Sequence, residues 1–182
     1  MKNKLAIYLF IIGTLMALIT VFIINYKKIN AMYPNPNIIE VETDETLSIG
    51  GYDVSFINLE ITSFDSLVSR YPESDYFKDQ AQLLTSGKID VLLVKLRFYN
   101  PGIVEKDMAI YNTTIATDNT SNGLDLYAYN YLNVDNKDPI IRLAPGESID
   151  IVMPYTLIKG YNRLNLELLF ALYPDIIKMK IS

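Results

Sequence analysis

The chain has no cysteine, no histidine and no tryptophan. Without cysteine there is no disulfide, no thiolate metal site and no thiol nucleophile. A lipoprotein-type cleavage site is excluded as well, because it needs a cysteine to acylate. Without histidine the chain lacks the commonest general base at neutral pH and the commonest metal ligand. No GxSxG, SxxK or Walker-type loop replaces them. The expectation is a protein that is not an enzyme and takes no small-molecule cofactor.

Basic charge is scarce outside the first stretch. Lys2, Lys4, Lys27 and Lys28 give residues 1–32 a charge of +4 with no acid, so the remaining residues carry −9 of the total −5. An acidic domain repels phosphate backbones, and no Lys/Arg cluster offsets this, so nucleic acid is not an expected partner.

One long hydrophobic run is present. Residues 5–24, LAIYLFIIGTLMALITVFII, hold no charged side chain. Twenty residues of helix span about 30 Å, the thickness of a bilayer's hydrocarbon core. Tyr8 and Tyr26 sit near its ends, as interfacial aromatics do. A cleaved signal peptide has a shorter apolar region, about 7 to 15 residues, followed by small residues at −3 and −1. Here the nearest site, after Ala31, puts Ile29 at −3. The run therefore reads as an uncleaved signal-anchor with ends at Leu5 and Ile24, spanning the cell membrane once. Two lysines flank each end, so the acidic domain sets the direction: residues 1–4 as a cytoplasmic tail and the C-terminal domain extracellular.

Residues 25–37 read as a stalk, since Pro34 and Pro36 favour extended chain. Residues 38–182 read as one domain, a size that supports a single core. Their periodicity is two. Leu92, Val94, Leu96 and Phe98 fall on one face of a strand over 88–100 and Lys95, Arg97 and Tyr99 on the other. Residues 163–172 place Leu164, Leu166, Leu168, Phe170 and Leu172 inward, and 148–153 alternate through Ile149, Ile151 and Met153. Further strands are expected over 38–43, 52–62, 109–117, 124–132, 139–143 and 176–181. Turn signals separate them at Gly50-Gly51, Asn100-Pro101-Gly102, Asn122-Gly123 and Pro145-Gly146. About seven to nine strands at this spacing indicate an all-β antiparallel sandwich.

Residues 63–87 interrupt the pattern. Two or three turns of helix are expected between Glu73 and Thr85, begun by Ser74 or Asp75 and stopped by Gly87. Tyr76, Phe77, Ala81 and Leu84 are then placed to cap one end of the sandwich.

The stretch VLLVKLRFYNPG at 91–102, followed by LAPGESIDIVMPYTL at 143–157, resembles the extracellular immunoglobulin-like domains of Gram-positive membrane proteins and lipoproteins, the DUF4352-type and related DUF5028-type domains. The similarity covers residues 46–182. It implies an immunoglobulin-like sandwich hung from a lipidated cysteine or a membrane helix, of which this chain has the helix. It implies no enzymatic activity and brings no site residues.

Three features remain as candidate sites. Tyr127, Tyr129 and Tyr131 share one face of the expected strand over 124–132, a candidate interaction surface for a glycan or a partner protein, since tyrosine offers large amphipathic area at low entropic cost. Ordinary cross-strand packing is the alternative. Asp118, Thr120, Asn122 and Gly123 imitate the start of a calcium loop, but the twelfth position, which requires Glu, is Tyr129, so a hairpin turn at Asn122-Gly123 is expected instead. Asn133, Asp135, Asn136 and Asp138 form a second oxygen-rich loop, and no metal site is expected at either. Asn112 and Asn119 head formal glycosylation sequons. The expected role is a tethered, extracytoplasmic interaction module whose partner is another envelope protein or a cell-wall component. The alternatives are an immunity or accessory subunit acting through its helix, with Gly13 and Ala17 at small-xxx-small spacing, and, least favoured, a metal-dependent hydrolase.

Overall fold

The computed structural model describes residues 2–33, 36–83, 86–172 and 175–181. The chain divides into two compact units, Met1–Asn37 and Ile38–Ser182.

The first unit is one helix, α1 (Lys2–Met32). Its segment Ile11–Met32 is long and apolar enough to cross a membrane. Ile19, Phe22 and Ile23 are exposed, so the helix has no core of its own. The helix does not stop at Ile24. It carries through Lys27 and Lys28, so most of the expected extended stalk is helical, and it ends two residues before Pro34, where the proline ring forbids continuation.

The second unit is a β-sandwich. One sheet has the order β1-β11-β10-β6-β7, built from Asn37–Val41, Asp175–Lys180, Glu167–Leu172, Thr113–Ala116 and Ser121–Gly123. The other has the order β2-β3-β4-β9, built from Leu47–Ile49, Tyr52–Thr62, Ile89–Tyr99 and Ser148–Ile158. A ribbon of β5 (Lys106–Ala109) and β8 (Ile140–Leu143) completes the strands described. The two sheets share one core, in which Leu92, Val94, Leu96 and Phe98 of β4 and Ile151 and Met153 of β9 lie with Leu168, Phe170, Ile177 and Met179 of the opposite sheet. The inward face of β4 is the one its alternation predicts.

The β2–β3 turn is Gly50-Gly51, with Ile49 paired to Tyr52. Both glycines have positive φ, +58° and +83°, as a two-residue type I′ turn requires. A Cβ at Gly51 would stand 2.4 Å from the Lys106 ammonium, which donates to the Gly51 carbonyl at 3.1 Å.

Val91 and Leu93 point to the opposite face of β4 and are also buried. They are covered by a helical layer of α2 (Phe64–Arg70), α3 (Asp75–Gln82) and α4 (Leu126–Leu132), which bring Phe64, Leu67, Phe77 and Ala128 into a second core. The insertion therefore packs on the outer face of a sheet rather than over the end of the sandwich. Ser74 caps α3 by accepting from Phe77 N at 3.2 Å. The α2 helix, capped by Ser63, was not anticipated. Leu84 and Thr85 lie outside the described residues, and Gly87 falls in a 3-10 turn, Ser86–Lys88, beyond the helix end.

Four further expectations are corrected. Residues 124–132 hold no strand; α4 replaces it because Asp125 caps its N-terminus, accepting from Tyr127 N and Ala128 N at 3.1 and 3.0 Å. The turn between β6 and β7 is closed by Thr117 N donating to Thr120 O at 2.8 Å, while Asn122 and Gly123 lie in β7. The expected strand over 109–117 is broken by a turn in which Thr113 N reaches back to Ile110 O at 3.1 Å. Leu164 lies in a 3-10 turn, Arg163–Asn165, and is 79% exposed, whereas Leu166, Leu168 and Phe170 are buried as expected. The Leu172 side chain lies outside the described residues.

The longest edge strand is β9, at 11 residues. An open edge exposes unpaired N–H and C=O groups. Side chains and loops take them up here. Asn133 donates to Val152 O at 2.8 Å and accepts from Val152 N at 2.9 Å. Asp125 N donates to Pro154 O at 2.9 Å. Asn122 donates to Thr156 O at 3.0 Å and to its hydroxyl at 2.8 Å.

Candidate interaction surface

A seven-residue helix in place of a strand redistributes the three tyrosines. On a helix, residues three and four apart share a face, whereas residues two apart do not. Tyr127 and Tyr131 stay on one face and Asn130 joins them. Tyr129 turns inward, fully buried, and its hydroxyl accepts from Asn136 Nδ2 at 2.9 Å. Burial pushes its phenol up from the ordinary value. The expected three-tyrosine face does not exist, and Tyr129 is a core residue.

The remaining pair lines an open depression of about 640 Å³ with Asn130, Lys137 and Asp138. Its floor is built from ring contacts and a hydrogen bond. Tyr76 on α3 lies parallel to Tyr127, ring centroids 5.5 Å apart at 24°. Tyr131 meets Phe77 at 5.5 Å and 46°. The Tyr76 hydroxyl donates to the second carboxylate oxygen of Asp125, so Asp125 caps α4, holds α3 and ties both to β9. Burial and that carboxylate push the Tyr76 phenol strongly upward, which keeps it a neutral donor. Tyr127 itself remains 71% exposed.

Lys137 and Asp138 enter from the loop after α4. Asn133 N donates to Tyr129 O and Asn136 N to Asn133 O, both at 3.0 Å. Asn136 Nδ2 also donates to Asp138 O at 3.1 Å. The oxygen-rich loop thus uses its amides to fold on itself. Asp135 is exposed, and among the described residues no group of three or more acidic side chains is placed to hold a metal ion.

A second depression, about 320 Å³, lies between the 117–120 turn and residues 158–162. Its polar groups are largely committed. Asp118 accepts from Asn165 Nδ2 at 2.6 Å, the Thr117 and Thr120 hydroxyls lie 3.1 Å apart, and Tyr161 donates to Asp90 at 3.0 Å. Burial and Asp90 push the Tyr161 phenol up to about 12.

Sequence reasoning missed Asn130, Lys137 and Asp138. The available signal was Asp125 ahead of a run with Tyr127, Asn130 and Tyr131 at three- and four-residue spacing, a cap and face of a helix.

Among curated proteins no relative matches the chain. Solved structures do. The ycdA protein of Bacillus subtilis, a candidate lipoprotein, is 18% identical with a TM-score of 0.49; the likeness takes in 78% of this chain and 39% of ycdA, so the chain spans about two-fifths of that relative. The yjhA protein of Bacillus subtilis is 10% identical over 76% of this chain and 98% of its own, TM-score 0.47. An uncharacterized β-sandwich protein of Clostridium difficile is 8% identical over 81% and 97%, TM-score 0.45. The sequence profile described as a domain of unknown function, DUF5028, matches residues 26–172, and the chain belongs to that family.

Proposed function

We propose that the protein is a non-enzymatic, extracytoplasmic interaction module tethered to the cell membrane by α1, which meets an envelope component through the face of α4 that carries Tyr127 and Tyr131. The observation that carries this reading is the depression itself: one exposed tyrosine and one half-buried one, both held by rings behind them. Preorganised aromatic area of this kind binds with little entropy lost. The tether is supported by the apolar length of α1, and the outward orientation of the domain is part of the same reading. The non-enzymatic reading is supported by a composition without histidine or cysteine. An immunoglobulin-like topology is part of the same proposal.

A photo-crosslinking residue placed at Tyr127 in native membranes is expected to trap an envelope component, while the same residue at exposed Tyr111 is not. Equal labelling at both positions, or none, would sink the reading. Protease added to intact cells is expected to remove the domain; survival until lysis would reverse the orientation.

A second reading, an accessory subunit working through its helix, is supported by Gly13 and Ala17, one helical turn apart at small-xxx-small spacing. Replacing residues 5–24 by an unrelated membrane helix separates the two. Retained function favours the module and lost function the intramembrane partner.

A further inference from the structure

We propose that the tyrosine depression is a subsite for an uncharged carbohydrate chain, with Tyr127 as the ring on which a sugar stacks; this rests on the reading of the α4 face as the contact surface. Three observations point to this ligand class.

The first is the ring. One face of Tyr127 is covered by Tyr76, yet the residue is 71% exposed, so its other face is open to solvent. The electron-rich face of an aromatic ring attracts the weakly positive C–H face of a pyranose while the sugar's hydroxyls stay at the edge.

The second is unused hydrogen-bonding capacity. Among the described residues, the Tyr127 and Tyr131 hydroxyls, the Asn130 side-chain amide and the Lys137 ammonium take part in no hydrogen bond or ion pair within the chain. The Asp138 carboxylate has only an exposed contact to Arg142 at 3.7 Å. An amide that both donates and accepts, beside two phenols, matches hydroxyls that do the same. Every side chain that lines the depression carries a polar group, which suits a ligand whose own edge is made of hydroxyls. The 320 Å³ depression shows the contrast, since its polar side chains already serve one another.

The third is charge. Residues 33–182 carry −9. Phosphate-bearing envelope polymers are repelled by that field, and an uncharged sugar is not.

The test uses the full chain in nanodiscs, titrated by calorimetry with two uncharged hexasaccharides, one of hexose and one of N-acetylhexosamine, and with a polyglycerol phosphate. Saturable binding is expected for at least one hexasaccharide and none for the phosphate polymer. Tyr127→Ser is expected to weaken binding roughly tenfold, equivalent to the ~1.4 kcal/mol at the upper end of an aromatic contact. Asn130→Ala, on the exposed face, is expected to keep the fold and to weaken binding about threefold, in line with one lost hydrogen bond. Tyr111→Ser leaves it unchanged. Failure of both hexasaccharides to bind, or Tyr127→Ser and Asn130→Ala binding like the parent chain, overturns the proposal. A crosslinker at Asn130 in native membranes separates the two levels. A protein adduct without sugar binding removes the carbohydrate and keeps the contact surface; no adduct and no binding removes both.

Discussion

Replacing Asn133 tests how the helical layer is bound to the sandwich. The side chain is buried and makes three hydrogen bonds, donating to Tyr129 O at 3.0 Å and Val152 O at 2.8 Å and accepting from Val152 N at 2.9 Å. A net protein hydrogen bond contributes about 1 kcal/mol, and leaving a buried partner unsatisfied costs about 1–3 kcal/mol. Water can reach part of an open strand edge, so Asn133→Ala is expected to cost about 2–3 kcal/mol. In a domain of this size each kcal/mol lowers Tm by roughly 2–4 °C, so the shift is about 4–12 °C. With no tryptophan and 14 tyrosines, unfolding is followed by near-ultraviolet circular dichroism of the full chain in detergent. Asn133→Asp sharpens the test. It keeps the shape and the acceptor but loses both donors and sets a carboxylate beside two carbonyl oxygens. Its folded pKa is then raised, so the deficit shrinks as pH falls and the protonated acid regains one donor. A loss no larger than that of exposed Asn130→Ala, or an Asn133→Asp deficit that does not change with pH, would refute the reasoning.

Asp125→Ala removes an N-cap and the acceptor of the Tyr76 hydroxyl, and is expected to cost about 1–2 kcal/mol in urea titration; a neutral outcome would mean that the cap does not hold α4. Gly51→Ala meets both a positive φ and the Lys106 ammonium and is expected to lose about 1–2 kcal/mol, whereas Gly87→Ala, with nothing within 4 Å, stays within about 0.5 kcal/mol; equal effects would remove the turn argument. Tyr161 has its phenol pushed from 10.0 up to about 12, so the folded state favours the protonated form. Its contribution is complete below pH 10 and is lost as pH rises toward 12; ultraviolet phenolate titration of Tyr161→Phe should lack that late step. Arg97 and then Lys95 hold the Asp150 carboxyl below its usual range. That stability is present above the ordinary carboxylate range and disappears as pH falls through the lowered value. Arg97→Ala should flatten the acid limb of a stability-against-pH curve, and an unchanged limb would show the pair to be inert.

The two long strands β3 and β4, of 11 residues each, were legible from partial alternation, over Tyr52–Phe56 before the bulge in β3 and over Leu92–Phe98 in β4. The buried outer positions Val91 and Leu93 were legible too, had the unbroken run Val91-Leu92-Leu93-Val94 been read as a strand covered on both faces. Residues 124–132 were not. LDLYAYNYL satisfies a period of two with residues of high strand propensity, and over so short a stretch the helical period fits as well. What decided it was tertiary: Asp125 binds the edge of β9 through its own N–H while its side chain starts a helix. Asn122-Gly123, a strong hairpin signal, was overridden because Asn122 commits its amide to Thr156. The depression depended on that helix and on a loop folded by amide contacts between residues 129 and 138, so Lys137 and Asp138 could not be placed beside Tyr127 from spacing alone.

The covering of β9 has a consequence for copies of the chain that meet one another. Of the described edges, β2 and β7 have three residues each and β1 has five, and residues 55–62 of β3, which β2 leaves unpaired, are interrupted by a bulge between Phe56 and Asn58; short and bulged edges template little pairing. The 11-residue edge is the one closed, by three side chains or N–H groups from the segment 122–133. On the proposed reading, α1 confines copies to a plane, where effective concentration is high and a slow association in solution becomes a frequent collision. Crowding then selects for a sealed flank more strongly than it would for a freely diffusing sandwich. Variants that open this flank should cluster on the membrane at expression levels that the parent tolerates.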